Sequence, residues 1–275
     1  MGIKNILCDY SGNANRGSGL RHGLKLAEHH DAWLTGVLRH GRPVLEKRFE
    51  LQVPDDVLEK LRQSDAARIR AVKDRFDDLV LEKGRSQKSE FIDLDPRDGL
   101  ALSEFARSFD LVVTGNHSED LSEEHMTAHP DLIALRSGRP VLVVPNGYEA
   151  PGLAEHALVA WDGKRSAARA VGDAMSILEE KAKVTVLTIG RSAPATVPGG
   201  GIVTALQRHG INAGHLHRHR EGKTVAETIE SVADEIDARL IIMGAYEHSK
   251  FAQDIFGGVT NEVLKTARVP VFLAH

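Results

Sequence analysis

The chain has 275 residues, 41% of them hydrophobic and 27% charged, an ordinary globular balance and length enough for one large or two ordinary domains. A formal net charge of −4 excludes the dense basic surface that nucleic acid requires, so no nucleic-acid partner is expected. No apolar run approaches the ~20 residues of a bilayer span, and the first residues lead into a strand-like run without a leader pattern, which predicts a cytoplasmic protein with no membrane contact.

Ile6-Leu7-Cys8 is the first apolar run and reads as a strand. Cys8, the single cysteine, lies inside it, so no intrachain disulfide can form and a buried, inert thiol is expected. A polar turn follows, then helical periodicity from Leu20 to Ala27 and a second strand from Trp33 to Leu38. The charged stretch Pro54 to Lys83 carries Val57, Leu61, Ile69, Val72, Phe76, Leu79 and Val80 at helical spacing and reads as an extra helix that covers this half. An amphipathic helix, Leu100 to Phe109, leads into the strand Leu111 to Gly115, and the run Arg139 to Val144 closes the half.

The same sentence is then written again. Ala157 to Ala160 opens as a strand, Ala167 to Leu178 is a helix, and Val184 to Ile189 is a second strand. The helix Val225 to Ile236 precedes the strand Leu240 to Gly244, and Val269 to Ala274 closes the chain. A repeat this long is a whole domain. Strands alternating with helices predict an α/β fold with a parallel sheet and helices on both faces. Pro145 to Glu155, with two prolines and two glycines, reads as the linker, placing domains at 1–150 and 151–275.

The most informative feature lies in the second half. The strand ends at Gly244, and after a polar stretch come Gly257-Gly258-Val259-Thr260, where helical spacing begins. Glycine admits close backbone approach, and unpaired first-turn amides with the macrodipole make such a helix start an anion site. In the first half the matching residues are Thr127-Ala128-His129-Pro130, preceded by the acidic Glu119, Asp120, Glu123 and Glu124, so that half is expected to be an empty site. Gly222-Lys223-Thr224 ends like a phosphate loop but reads as a helix start, and Pro198 to Gly201 reads as a connector. His215, His217 and His219 alternate along a short strand and are better explained as a solvated edge than as a metal site; no metal site is read from the sequence. No nucleophile elbow, paired nucleophile or metalloprotease pattern is present, so no catalytic residue is assigned.

The stretch from Met243 to Thr260, with Gly244, Glu247, Gly257 and Thr260 at the spacing G-x2-G-x9-G-[S/G]-x-T, resembles the signature of the universal stress protein family. Ala160-Trp161-Asp162-Gly163 and Ala245-Tyr246 with His248-Ser249 resemble further parts of its tandem members. The resemblance implies two tandem flavodoxin-like (adenine-nucleotide alpha hydrolase-like) domains, each a five-stranded parallel sheet, paired as an intrachain pseudo-dimer through their last strands. Exposed closing strands would leave a homodimer open as well. It also implies a stress-response protein that binds an adenine nucleotide, ATP or similar, in its second half and acts on a protein partner. Carried over from ATP-binding members, nucleoside contact falls on Asp162, base contact on Ile189, and the phosphate loop on Met243, Gly244, Gly257, Gly258, Val259 and Thr260. Glu247 stands where the family's second glycine would be; its carboxylate either repels phosphate or shares a Mg²⁺ with it. Ser11 takes the place of Asp162 in the first half, and only Glu247 and His248 are placed to orient water for a slow ATPase. The alternative reading is an interaction scaffold of the same fold that binds no nucleotide.

Overall fold

A computed structural model of the chain describes residues 2–12, 17–39, 54–95, 99–116, 130–190, 201–245 and 258–275. In the first half the strands are β1 (Asn5–Asp9), β2 (Trp33–Arg39), β3 (Ser89–Leu94), β4 (Leu111–Gly115) and β5 (Val141–Val144). Its helices are α1 (Gly17–His29), α2 (Asp55–Glu82), α3 (Leu102–Phe105) and α4 (Pro130–Ser137). The second half has β6 (Ala157–Ala160), β7 (Val184–Ile189), β8 (Ala213–Arg218), β9 (Leu240–Gly244) and β10 (Val271–Ala274). Its helices are α5 (Arg165–Asp173), α6 (Met175–Leu178), α7 (Gly201–Arg208), α8 (Val225–Glu235) and α9 (Val259–Thr266).

All ten strands form one sheet in the order β3-β2-β1-β4-β5-β10-β9-β6-β7-β8. Every neighbouring pair is parallel except β5 with β10, where Phe272 faces Leu142 and Val271 faces Val143 across an antiparallel seam. Each half is therefore a doubly wound five-stranded sheet, and the two meet through their last strands. The closing strands pair with each other, as the resemblance implied, and neither keeps the exposed edge at which another copy could add. Each carries a hydrogen-bonded neighbour on both sides, β4 and β10 for one and β5 and β9 for the other. Their residues are buried because both faces are also covered, which is why they read as unbroken apolar runs.

The helices sort onto two faces. One core joins Leu20 and Leu24 of α1, Val72 and Phe76 of α2, Ala170 and Val171 of α5, and Leu206 of α7 to the sheet. The other joins Leu102 of α3, Ile133 of α4, Ile229 of α8 and Val263 of α9 to the opposite side. Cys8 is buried in the first core; desolvation, with the adjacent Asp9 carboxylate adding to it, pushes its thiol well above the usual range and leaves it inert.

Helix α2 is longer than its counterpart rather than an addition. Helix α7 stands at the same place between second and third strands, with 8 residues against 28. The cover occupies the C-terminal end of α2, where Val72, Phe76 and Val80 are buried at i, i+4 and i+8 while Val57 is exposed. Phe76 presses on Gly36 of β2 so closely that a β-carbon there would lie 2.4 Å from its ring. Val72 fills the same space over Gly12, which takes a φ of +74°, and Arg75 donates to the Gly12 carbonyl at 2.6 Å. The linker is tied to α1: Lys25 donates to the Ala150 carbonyl at 2.6 Å, and the Gly147 amide donates to Ser18 Oγ at 2.9 Å. Among the described residues, no helix is long and apolar enough to cross a membrane.

Candidate functional site

Doubly wound sheets bind ligands beyond the carboxyl ends of their strands, where loops and helix starts converge. In the second half the register Ala160↔Leu187 and Ala160↔Met243 brings β6, β7 and β9 to a common crest. A groove of about 880 Å³ lies on this side of the sheet, beyond the ends of β7 and β8. Its walls are Gly190 after β7, the loop His219–Thr224 between β8 and α8, and the first turns of α9 at Gly258, Val259, Asn261, Glu262 and Lys265. That volume falls within the range of small-molecule sites, roughly 300–1,000 Å³.

The loop is shaped by Glu221 and Gly222, which take φ of 48° and 87°, while the Lys223 amide closes the turn on the Arg220 carbonyl at 2.8 Å. Thr224 then caps α8. Its hydroxyl accepts from the Glu227 amide at 3.1 Å, and the Glu227 carboxylate accepts from the Thr224 amide at 2.7 Å, a reciprocal box that satisfies two helix-start amides. Helix α9 starts differently. Its N-cap is Gly258, which has no side chain to supply a cap and takes φ 154° and ψ 170°, a region open essentially to glycine alone. Among the described residues, a β-carbon at Gly258 would meet nothing within 4 Å. The two helices are clasped where Thr224 Oγ1 donates to Glu262 Oε1 at 2.7 Å.

Three permanent cations line the groove, Arg220, Lys223 and Lys265, with His219 beside them, against two carboxylates, Glu221 and Glu262. The Lys223 ammonium also donates to Ser231 Oγ at 3.2 Å, which holds it at the groove's rim. With the α9 macrodipole, the balance favours an anion. The sequence reading missed these cations. Gly222-Lys223-Thr224 is the helix start it was taken for, and the fold brings that same turn against α9, a long-range contact that local spacing does not encode.

The residues expected to bind divide. Gly258 and Val259 line the groove, and Thr260 follows them with its side chain buried in the α9 first turn. Ile189 ends β7 next to the groove-lining Gly190 and packs on the core, and Met243 is buried in that core. Gly244 serves packing: a β-carbon there would lie 2.5 Å from the Ala167 nitrogen and 2.6 Å from the Ser166 carbonyl carbon at the start of α5. Asp162 sits at the crest, half-exposed, where its Oδ1 accepts from the Lys164 amide at 3.0 Å in a local turn. Glu247 and Gly257, like His248, lie outside the described residues. His215 and His217 both bond Thr188 Oγ1, at 2.9 and 3.2 Å, on the edge strand β8; with His219 they do not bring three donor atoms together.

Residues 154–275 match the family model described as the universal stress protein family. No curated protein sequence matches the chain. Among solved structures, a universal stress protein from Archaeoglobus fulgidus DSM 4304 is similar along 98% of this chain and 96% of its own, with a TM-score of 0.71 at 15% identity. A functionally unknown protein from Pseudomonas aeruginosa PAO1 is similar over 99% of this chain and 92% of its own, with a TM-score of 0.57 at 14% identity. Identity this low speaks for the fold, while the match to the second half carries the family. Residues 154–275 thus carry the match to the universal stress protein family, and the whole chain has the fold of a tandem-domain universal stress protein.

Proposed function

We propose that this is a cytoplasmic stress-response protein whose second domain, residues 151–275, binds an adenine nucleotide, ATP or a similar species, along the carboxyl edge of β6, β7 and β9. The observation that carries the reading is the groove in which an N-cap glycine faces three permanent cations. Phosphates would lie against the first amides of α9, at Gly258, Val259 and Thr260, with Gly257 preceding them. The base would reach toward Ile189 and Gly190, and the ribose toward Asp162, with Met243 and Gly244 forming the floor. Glu247 would turn to solvent or share a Mg²⁺ with the phosphates. The role is sensing: occupancy alters the surface offered to a protein partner, and no catalytic residue is assigned. The first domain, residues 1–150, is the non-binding half, in keeping with Val72 and Arg75 of α2 closing over the loop after β1.

Two observations favour the scaffold alternative: Asp162 is engaged in its own turn, and Glu262 places a carboxylate in the groove. Isothermal titration with ATP and ADP, with and without Mg²⁺, separates the two, together with native mass spectrometry of the freshly purified chain. Gly258→Glu, which sets a carboxylate at the helix start, is expected to abolish nucleotide binding. Equal affinity in wild type and variant would remove the pocket from the nucleotide's path, and no binding by wild type would leave the scaffold.

A further inference from the structure

A second cluster lies on the other face of the sheet, where α1 of the first half meets the end of α6 in the second. His29, His30 and Glu180 bring one donor atom each to within 4.8 Å of one another, the one such group of three among the described residues. His29 Nε2 is 2.9 Å from Glu180 Oε2, and His30 Nδ1 is 3.6 Å from Glu180 Oε1. The two imidazoles stand edge to face with centroids 4.9 Å apart.

Neighbouring residues on a helix ordinarily diverge by about 100°. Here the helix ends between them. The Ala32 amide bonds the Ala27 carbonyl at 2.9 Å, the Asp31 amide bonds the Glu28 carbonyl, and Asp31 takes a φ of 49°. This is a Schellman ending, which makes His29 the last helical residue and His30 the cap. Lys4 Nζ donates to the His30 carbonyl at 2.8 Å and fixes the cap from outside. Glu180 arrives at the close of α6, its amide bonded to the Ile177 carbonyl. His29 and His30 stand at the carboxyl end of the 13-residue α1, where the macrodipole favours a cation. The Lys181 ammonium, near enough to act on His30, donates to the Leu153 carbonyl.

We propose that His29, His30 and Glu180 form a divalent transition-metal site, selective for zinc-like ions, that bridges the two halves of the chain. Two imidazoles and one carboxylate suit zinc, nickel or copper, whereas magnesium and calcium demand oxygen ligands. With bonds of about 2.0–2.1 Å, a tetrahedral ion separates its donors by about 3.3 Å. The two imidazole nitrogens stand 2.9 and 3.6 Å from different oxygens of the Glu180 carboxylate, and one donor atom from each residue lies within 4.8 Å of the other two, so the side-chain tips draw together to close around an ion. Three protein donors leave a fourth position to water. Because Glu180 precedes β7, at the amino edge of the second half's strands, the site is separate from the groove at their carboxyl edge.

The test uses the full chain, stripped with a chelator and titrated with zinc chloride by calorimetry, with unfolding followed by heat. One equivalent is expected to bind and to raise Tm, and cobalt in its place is expected to give the visible spectrum of a tetrahedral N/O site. His29→Ala and Glu180→Gln each alter a partly exposed side chain and leave the fold intact; Glu180→Gln also keeps a hydrogen-bond acceptor for His29. Each is expected to weaken zinc at least about tenfold and to erase the Tm rise, by analogy with losses on disturbing metal sites. A plain ion pair predicts a change in metal-free Tm and none in zinc response. The proposal is overturned by no saturable uptake at one equivalent, or by full zinc affinity in either variant.

Discussion

Gly244 looks like part of a phosphate loop, yet its geometry predicts a folding defect when it is replaced. A β-carbon there would stand 2.5 Å from the backbone nitrogen of Ala167 and 2.6 Å from the carbonyl carbon of Ser166. Ordinary contact needs roughly 3.5–4.0 Å, so the start of α5 would have to retreat by about 1 Å, and a rotamer change cannot relieve backbone atoms. Helix α5 cannot retreat freely, because Ala167, Ala170 and Val171 are buried against the sheet. Overpacking of this kind costs about 1–3 kcal/mol. For a chain of this size each kcal/mol lowers Tm by about 2–4 °C, so Gly244→Ala is expected to lose about 2–12 °C in differential scanning calorimetry. The comparison is Gly258→Ala, whose β-carbon meets nothing within 4 Å among the described residues and whose cost is backbone strain. The first half repeats the close approach with its partners exchanged: Gly19 on α1 would place a β-carbon 2.9 Å from the Gly115 nitrogen. If Gly244→Ala melts within 1 °C of wild type, α5 slides at no cost and the packing argument is wrong.

Phe272, 1% exposed and paired with Leu142 at the seam, anchors both halves. Phe272→Ala is expected to cost about 3–5 kcal/mol in urea denaturation, and a loss under 1 kcal/mol would show the seam to be looser than described. His22 is buried beside Tyr148 with Nδ1 unpartnered, and desolvation, then Lys181 and Lys25, push it down to about 4. The unfolded chain takes up that proton from about pH 6.5 downward while the folded chain refuses it until about pH 4. Stability therefore falls as pH drops through this window, by on the order of 3 kcal/mol at its lower end. His22→Leu is expected to flatten the stability curve between pH 7 and 4.5, and parallel curves for variant and wild type would sink the assignment.

The strands legible in the sequence are those with both faces covered. Val184–Ile189, Leu111–Gly115 and Leu240–Gly244 read as apolar runs because helices from both cores press on them. β3, with the sequence SEFIDL, escaped notice because it is an edge strand with a partly solvated pattern, and periodicity is weakest there. The helix expected over Ala167 to Leu178 breaks at Ala174 into α5 and α6, a kink that a continuous apolar stripe conceals. At the candidate site the helix start at Gly258 was legible because glycine chemistry is local. The cations Arg220, Lys223 and Lys265 were not, since their meeting depends on how α8 packs on α9. His29 and His30 gave no signal either, because their partner Glu180 lies 150 residues along the chain, in the other half.

The antiparallel seam explains how the two halves could diverge without harm to the whole. Because β5 and β10 run in opposite directions while each half is parallel within itself, the carboxyl ends of the two closing strands lie on opposite sides of the seam. Each crest is built from its own half's strands and loops. In the first half the long α2 closes over Gly12 and Gly36, exchanging an open crest for buried aromatic and aliphatic contact. In the second half α7 is short, with Leu206 its one buried residue. Burial under α2 stabilises the first half, and the seam couples that stability to the second.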